Sequence, residues 1–194
     1  MTQTTKSKLT FEEFLNYDDG TDTRYELSAG ELVAMPPETR ENSLISLFLF
    51  AELLKLLPIT QLCHKDTDIE VTGALAQTRI PDLMVLTEEL ADILGNQRGT
   101  ITRDMPPPLL VVEVVSPGNQ NEVRDYRYKR SEYAARGIPE YWTVDPQQKK
   151  VTVFTLVDGL YELAEFTGSD EVQSQVVPLL KIQTDQLLKA GRPG

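Results

Sequence analysis

The sequence has one cysteine and one histidine. A lone thiol, Cys63, cannot close an internal disulfide, so the chain must rest on its packed core and suits a reducing compartment. Zinc sites usually draw several ligands from Cys and His, and Cys63 and His64 are the whole supply. They are neighbours, so on a strand they point to opposite faces, which argues against a Cys–His dyad. No nucleophile-elbow motif is present to offer His64 a serine. Neither standard Gly-rich phosphate loop occurs, so no nucleotide cofactor is expected. Long apolar runs are also missing. The most apolar stretch, Leu44–Leu57, is interrupted by Glu52 and Lys55; it is too short to span a bilayer and reads as a buried helix. Met1 to Thr10 is polar and lacks an apolar signal core. The expectation is a cytoplasmic protein with no membrane partner.

Positive charge is scarce as well: 19 Lys and Arg stand against 30 Asp and Glu, for a net charge of −11. A uniformly acidic surface repels the phosphate backbone, which disfavours a general nucleic-acid binder. An enzyme with a local basic strip stays open, because steering follows the distribution of charge as well as its total. What remains for chemistry is carboxylates, lysines and a hard, oxygen-seeking cation such as Mg²⁺ or Mn²⁺. The length of 194 residues suits one domain, 1–194.

Read in order, Thr10 with Glu13 predicts a capping box on a short helix at 11–15. The alternation around Gly30 predicts a β-hairpin over 24–35. A helix is predicted from Ser43 to Leu57, ended by Pro58 and apolar almost all round, so that a second element or a second subunit must cover its outer side. Thr67–Val71 alternates like a half-exposed strand, and Arg79–Leu86 reads as one strand carrying Asp82. A short helix at 87–94 and a long loop at 95–108 follow. Leu109–Val115 is a valine-rich run between turn signals, as in a buried central strand. Asn119 or Asn121 can cap a helix running to about Arg136, with Gly137 ending it. A strand at 138–146, a hairpin of 150–156 with 160–166, and a short helix begun by Thr184 complete the chain.

Glu113 is the one charge inside the valine-rich strand, and a buried carboxylate is costly unless paired, hydrogen-bonded or bound to a metal. Asp82 enters an apolar run after Pro81 in the same way. Acids on neighbouring strands can share one cation, so Asp82 and Glu113 are the leading pair, each with the plainer alternative of a structural ion pair. The following helix carries the densest basic cluster of the chain: Arg124, Arg127, Lys129 and Arg130. Asp125 and Lys129 share a helical face, which allows either a solvated ion pair or a lysine reaching back over the strand towards Glu113. Glu26, between Tyr25 and Leu27, is a third acid that could face the same site or sit in a surface pair.

Tyr25-Glu26-Leu27 with Gly30-Glu31-Leu32-Val33 and Met35-Pro36, Pro81-Asp82-Leu83, Val112-Glu113-Val114-Val115-Ser116-Pro117, Asp125 with Lys129 and Tyr133, and Glu140-Tyr141-Trp142 with Val144-Asp145-Pro146 together resemble the "putative restriction endonuclease" family abundant in cyanobacteria. It is also called domain-of-unknown-function family 820, or "Uma two", and is placed in the PD-(D/E)XK nuclease superfamily. The resemblance spans about residues 11–188. It implies an α/β (α+β) fold, a restriction endonuclease-like mixed β-sheet flanked by helices, with additional N-terminal and C-terminal hairpins. It implies Mg²⁺ or Mn²⁺ on Asp82 and Glu113, with the backbone carbonyl of Val114 open as a further ligand, and DNA as substrate. The superfamily pattern puts lysine two residues after the glutamate, where this chain has Val115; in the family the lysine is thought to have moved to the next helix, which points to Lys129. Glu26 then binds the metal or a second water, and Arg124 and Arg127 contact flanking phosphates. Relatives often carry a histidine where this chain reads Glu41-Asn42-Ser43, so Asn42 is the residue to watch. Two readings stand at this point: a metal-dependent DNA endonuclease, or a nuclease-fold homodimer that binds or regulates with little catalysis. The retained acids and Lys129 favour the first; Val115 and the net charge favour the second.

Overall fold

The computed structural model describes residues 8–35, 37–73, 76–95, 99–116 and 120–190, with the side chains of 120–125 outside that description. Helix α1 (Phe11–Leu15) carries the expected capping box: the Glu13 N–H donates to Thr10 Oγ1, and the Thr10 N–H donates to the Glu13 carboxylate. Strands β1 (Tyr25–Ser28) and β2 (Glu31–Ala34) form the predicted hairpin. It turns at Ala29 and Gly30, both at positive φ, the geometry of a two-residue hairpin loop.

Helix α2 spans Arg40–Leu53, starting before the predicted Ser43 and stopping short of Leu57. Thr39 sets the start, because its Oγ1 accepts the N–H of Asn42. After Leu53 the chain tightens into turns ahead of Pro58. Strand β3 (Leu62–Cys63) follows, then β4 (Asp68–Glu70) and β5 (Thr78–Arg79). β4 is buried along its length rather than half-exposed. Its acids are satisfied there: Glu70 accepts the backbone N–H and Nε of Arg103, and Asp68 accepts the Thr100 hydroxyl.

The predicted strand 79–86 is two strands. β5 belongs to one sheet and β6 (Leu83–Val85) to another, with Ile80, Pro81 and Asp82 between them. Pro81 has no N–H to give to a ladder, which makes it a natural break. Next come α3 (Glu88–Leu94) and β7 (Thr100–Ile101), so the predicted 95–108 loop contains a strand, paired in parallel with β4. β8 (Leu110–Val114), α4 (Gln120–Arg136), β9 (Glu140–Asp145), β10 (Lys150–Val157), β11 (Leu160–Thr167) and α5 (Thr184–Lys189) complete the order.

The main sheet runs β11-β10-β9-β8-β6-β3. β8 and β9 are parallel, bridged by α4 as a crossover; the other pairs are antiparallel. The C-terminal hairpin therefore extends this sheet as its edge, while the N-terminal hairpin is a sheet of its own. β8 alternates between two cores. Leu110, Val112 and Val114 pack towards α2 and α5 with Ile45, Leu49 and Leu187. Val111 packs on the opposite face with Tyr133, Ile138 and Tyr141. By that alternation Glu113 belongs to the second face, beneath α4. Among the described residues no helix is long and apolar enough to cross a membrane.

Candidate active site

The strand pairing itself brings the two acids together. β6 and β8 pair Leu83 with Val112, and one further step of that register sets Asp82 opposite Glu113 on the same face. The Val114 N–H donates to Asp82 Oδ2 at 2.6 Å, fixing the aspartate to the end of β8. Its other oxygen lies 3.3 Å from Lys65 Nζ, and the same ammonium pairs with Glu38 just before α2. Lys65 has φ 59°, a left-handed turn that aims its stem towards this end of the sheet.

Glu113 is 4% exposed and accepts two hydrogen bonds from α4. Lys129 Nζ donates to Oε2 at 3.0 Å, and the Tyr133 hydroxyl donates to Oε1 at 2.7 Å. Lys129 and Tyr133 are one helical turn apart, so both descend from one face of α4 onto the strand. The lysine also stands 5.6 Å from the Tyr126 ring centre. Of the two arrangements open to Lys129 in the sequence, the one reaching back to Glu113 is present; Asp125 lies outside the described side chains.

Glu26 faces the same buried region. It accepts Arg79 Nη1 and the Ile80 N–H, each at 3.1 Å. Arg79 Nε donates in turn to Glu132 Oε2 at 2.8 Å. Glu132 Oε1 is buried without a hydrogen-bond partner among the described residues. Gly73 passes so close that a Cβ there would stand 2.2 Å from that oxygen.

These neighbours perturb titration in defined directions. Burial, then the charge of Glu113, pushes Asp82 up to about 6 from the ordinary 3.8. Burial raises Glu26, opposed by the charges of Lys129 and Arg79. Burial and the Glu113 charge raise the phenols of Tyr133 and Tyr126. One carboxyl of the facing pair is thus strained as an anion, a condition that a cation would relieve.

The Uma2 family, described as "Putative restriction endonuclease", matches residues 11–185. The chain belongs to the Uma2 family. A crystal structure described as a putative nuclease belonging to DUF820 from Anabaena variabilis ATCC 29413 superposes with a TM-score of 0.72. That pair is 17% identical and covers 95% of this chain and 99% of the other, which establishes the fold. No curated protein matches.

Within this Uma2 chain, Arg127 is exposed on α4, and Arg124 falls among the side chains outside the description. Asn42 is buried at the start of α2, where its Nδ2 donates to the Val115 carbonyl and to Ser116 Oγ just beyond Glu113's strand. His64 hydrogen-bonds Ser46 at 3.1 Å, but Ser46 is 1% exposed and its hydroxyl already serves the Ser43 carbonyl, so the pair is structural. Lys65, Glu38, Arg79 and Glu132 were not visible as site residues in the sequence. Only Lys65 had a local marker, as a basic residue in the turn-like run His64-Lys65-Asp66, and nothing in that run names Asp82 as its partner.

Proposed function

We propose that this chain is a divalent-metal-dependent endonuclease that hydrolyses DNA phosphodiester bonds, with Asp82 and Glu113 holding the cation and Lys129 acting on the reacting groups. One observation carries the reading: two carboxylates from adjacent strands face each other, and Lys129 stands 3.0 Å from the second. The donor chemistry fits a hard cation. Both ligands are carboxylate oxygens, and Asp82 is raised first by burial and then by the Glu113 charge, a cost that a bound cation would offset. Among the described residues no group of three His, Cys, Asp or Glu is arranged to hold a metal, so the protein supplies two acids and water completes the shell, as Mg²⁺ tolerates.

Such a cation supplies Lewis-acid polarisation of the phosphate and a more acidic bound water. The chain's own residues do the positioning. The Val114 N–H and Lys65 orient the two oxygens of Asp82; Tyr133 holds one oxygen of Glu113. Lys129 carries a positive charge to the mouth of the pair, where it orients the attacking water or meets charge developing on the phosphate oxygens. Glu26 is anchored by Arg79 and the Ile80 N–H, and the Lys129 charge opposes the burial that raises it. Arg127, with Arg124 beside it in sequence, meets flanking phosphates and fixes position without reading bases.

The test is strand breakage in supercoiled plasmid and in single-stranded DNA, with Mg²⁺ or Mn²⁺, by wild type and Glu113→Gln. Loss of about 10²-fold or more in the variant is expected for a metal ligand. No breakage by wild type on any of these substrates would hand the chain to the second reading, a nuclease-fold binding module, which Val115 at the usual lysine position favours.

We also infer a homodimer. Leu47 on the outer side of α2 and Leu54, Leu56 and Ile59 just past its end are exposed, an apolar patch of the kind that partners cover. Sedimentation at micromolar concentration should give twice 21.8 kDa; a monomer throughout would remove the inference.

A further inference from the structure

The sheet registers put Asp82, Glu113, Thr143, Thr152 and Glu165 in one row across β6, β8, β9, β10 and β11. Residues directly opposite across strands share a face, and strands lie about 4.8 Å apart. Thr143 is therefore one strand beyond Glu113 and Thr152 two, on the face that carries the acids. α4 crosses above this row. Between helix and sheet lies a cavity of about 380 Å³.

The shape of this cavity follows from its residues. The two threonines leave space where larger side chains would fill it. One neighbouring row is closed by Tyr141 and Phe154, which are buried and stack on each other at 5.2 Å, with the Arg130 guanidinium 5.1 Å over the Phe154 ring. The other offers Asp145 and Lys150. Arg127 and Tyr126 of α4 form the roof. The guanidinium of Arg127 has no ion-pair partner among the described residues, and it lines the cavity together with Ser116, which follows Glu113's strand.

We infer that this cavity takes a single unpaired nucleotide of the DNA chain next to the scissile phosphate. Its base lies between the threonine row and α4, and its phosphate lies on Arg127. A flat ring with apolar faces and polar edges matches a pocket with the half-buried Tyr126 ring on the α4 side and the threonine hydroxyls on the sheet side. The volume sits near the small end of ligand pockets, about 300–1,000 Å³, so one nucleotide fits and a duplex does not. The row geometry supplies the connection, because a phosphate at the acid pair leaves its neighbouring nucleotide one or two strand spacings away. The inference rests on the nuclease reading for the polymer involved, but the preference it describes does not require hydrolysis.

The experiment separates the two. The full chain is titrated, in EDTA, with two duplexes of one sequence carrying 2-aminopurine, fully paired in one and as an unpaired bulge in the other. Cleavage of both is measured separately with Mn²⁺. Wild type should bind the bulged duplex about tenfold tighter, the worth of one stacked base, with quenching of the probe. Thr143→Trp fills the cavity and should bring the two affinities together. Thr143→Leu, a milder filling of the same cavity, should lower the ratio if the tryptophan variant fails to fold. Equal affinities in wild type, or a ratio that neither variant moves, overturns the inference. Cleavage without preference removes the pocket and leaves the nuclease; preference without cleavage supports the pocket and removes hydrolysis.

Discussion

Lys129→Ala is expected to lower the rate of DNA cleavage by about 10²–10³-fold, the usual loss for a donor aimed at developing charge. The effect should fall on kcat, with KM little changed, because a lysine acting only in the transition state contributes little to ground-state binding. A pure phosphate-binding role would move KM instead. The variant also removes one of the two donors to Glu113, leaving Tyr133. Breaking a buried pair can cost several kcal/mol, so a folded, less stable protein is the expected background. A second substitution separates position from packing. Val115 shares Glu113's face by strand alternation and lines the cavity beside it. A lysine at 115 would enter the same space from the strand, as the superfamily pattern has it. Lys129→Ala with Val115→Lys should therefore recover roughly tenfold or more of the lost rate. Wild-type kcat in Lys129→Ala would take that residue out of the mechanism.

The second large effect is on stability. Asp82 is raised from 3.8 to about 6, so the folded state binds its proton more tightly than the unfolded chain does. The sign is then fixed. Below pH 3.8 the group is protonated in both states and costs nothing; from there up to about pH 6 the fold loses stability as the unfolded state ionises first; above that the cost is constant. Its full size is roughly 3 kcal/mol at most. In EDTA at pH 8, Asp82→Asn should therefore melt several degrees higher than wild type, at about 2–4 °C per kcal/mol, and the two should converge towards pH 4. Asparagine can still accept the Val114 N–H; it gives up the Lys65 pair, whose favourable effect is already counted in the Asp82 shift. Mn²⁺ should reverse the order, raising the wild-type melting temperature and leaving Asp82→Asn unmoved. Parallel melting curves across pH in EDTA would show that the carboxyl is not strained.

Local patterns in the sequence were enough to find Glu113, because one carboxylate among valines has few explanations. They also reached Lys129, since a helix after that strand can drop a long side chain back onto it. The division of 79–86 was less accessible. Pro81 was visible, but whether it ends a strand or merely enters one depends on which sheet each half joins, and those partners lie far away in the sequence. The same holds for β7 inside a proline-rich loop and for the burial of Asp68 and Glu70, whose partners Thr100 and Arg103 are distant. Lys65 and Glu38 reach Asp82 only through a left-handed turn and the approach to α2, neither of which leaves a periodic trace. The start of α2 was missed for a smaller reason: Thr39 caps it, and the polar run 40–43 that follows carries no apolar periodicity.

The break at Pro81 has a consequence for samples of this protein. Asp82 hangs from a joint between the main sheet and a small one whose strands are two or three residues long. Short strands are the first to exchange their amides when a fold opens locally. Damage confined to the small sheet would displace one acid of the pair while the six-stranded sheet, and with it the bulk circular dichroism, stayed intact. A preparation can then look folded by every global measure and still be inert, and amide exchange at 78–80 and 82 would tell the two apart.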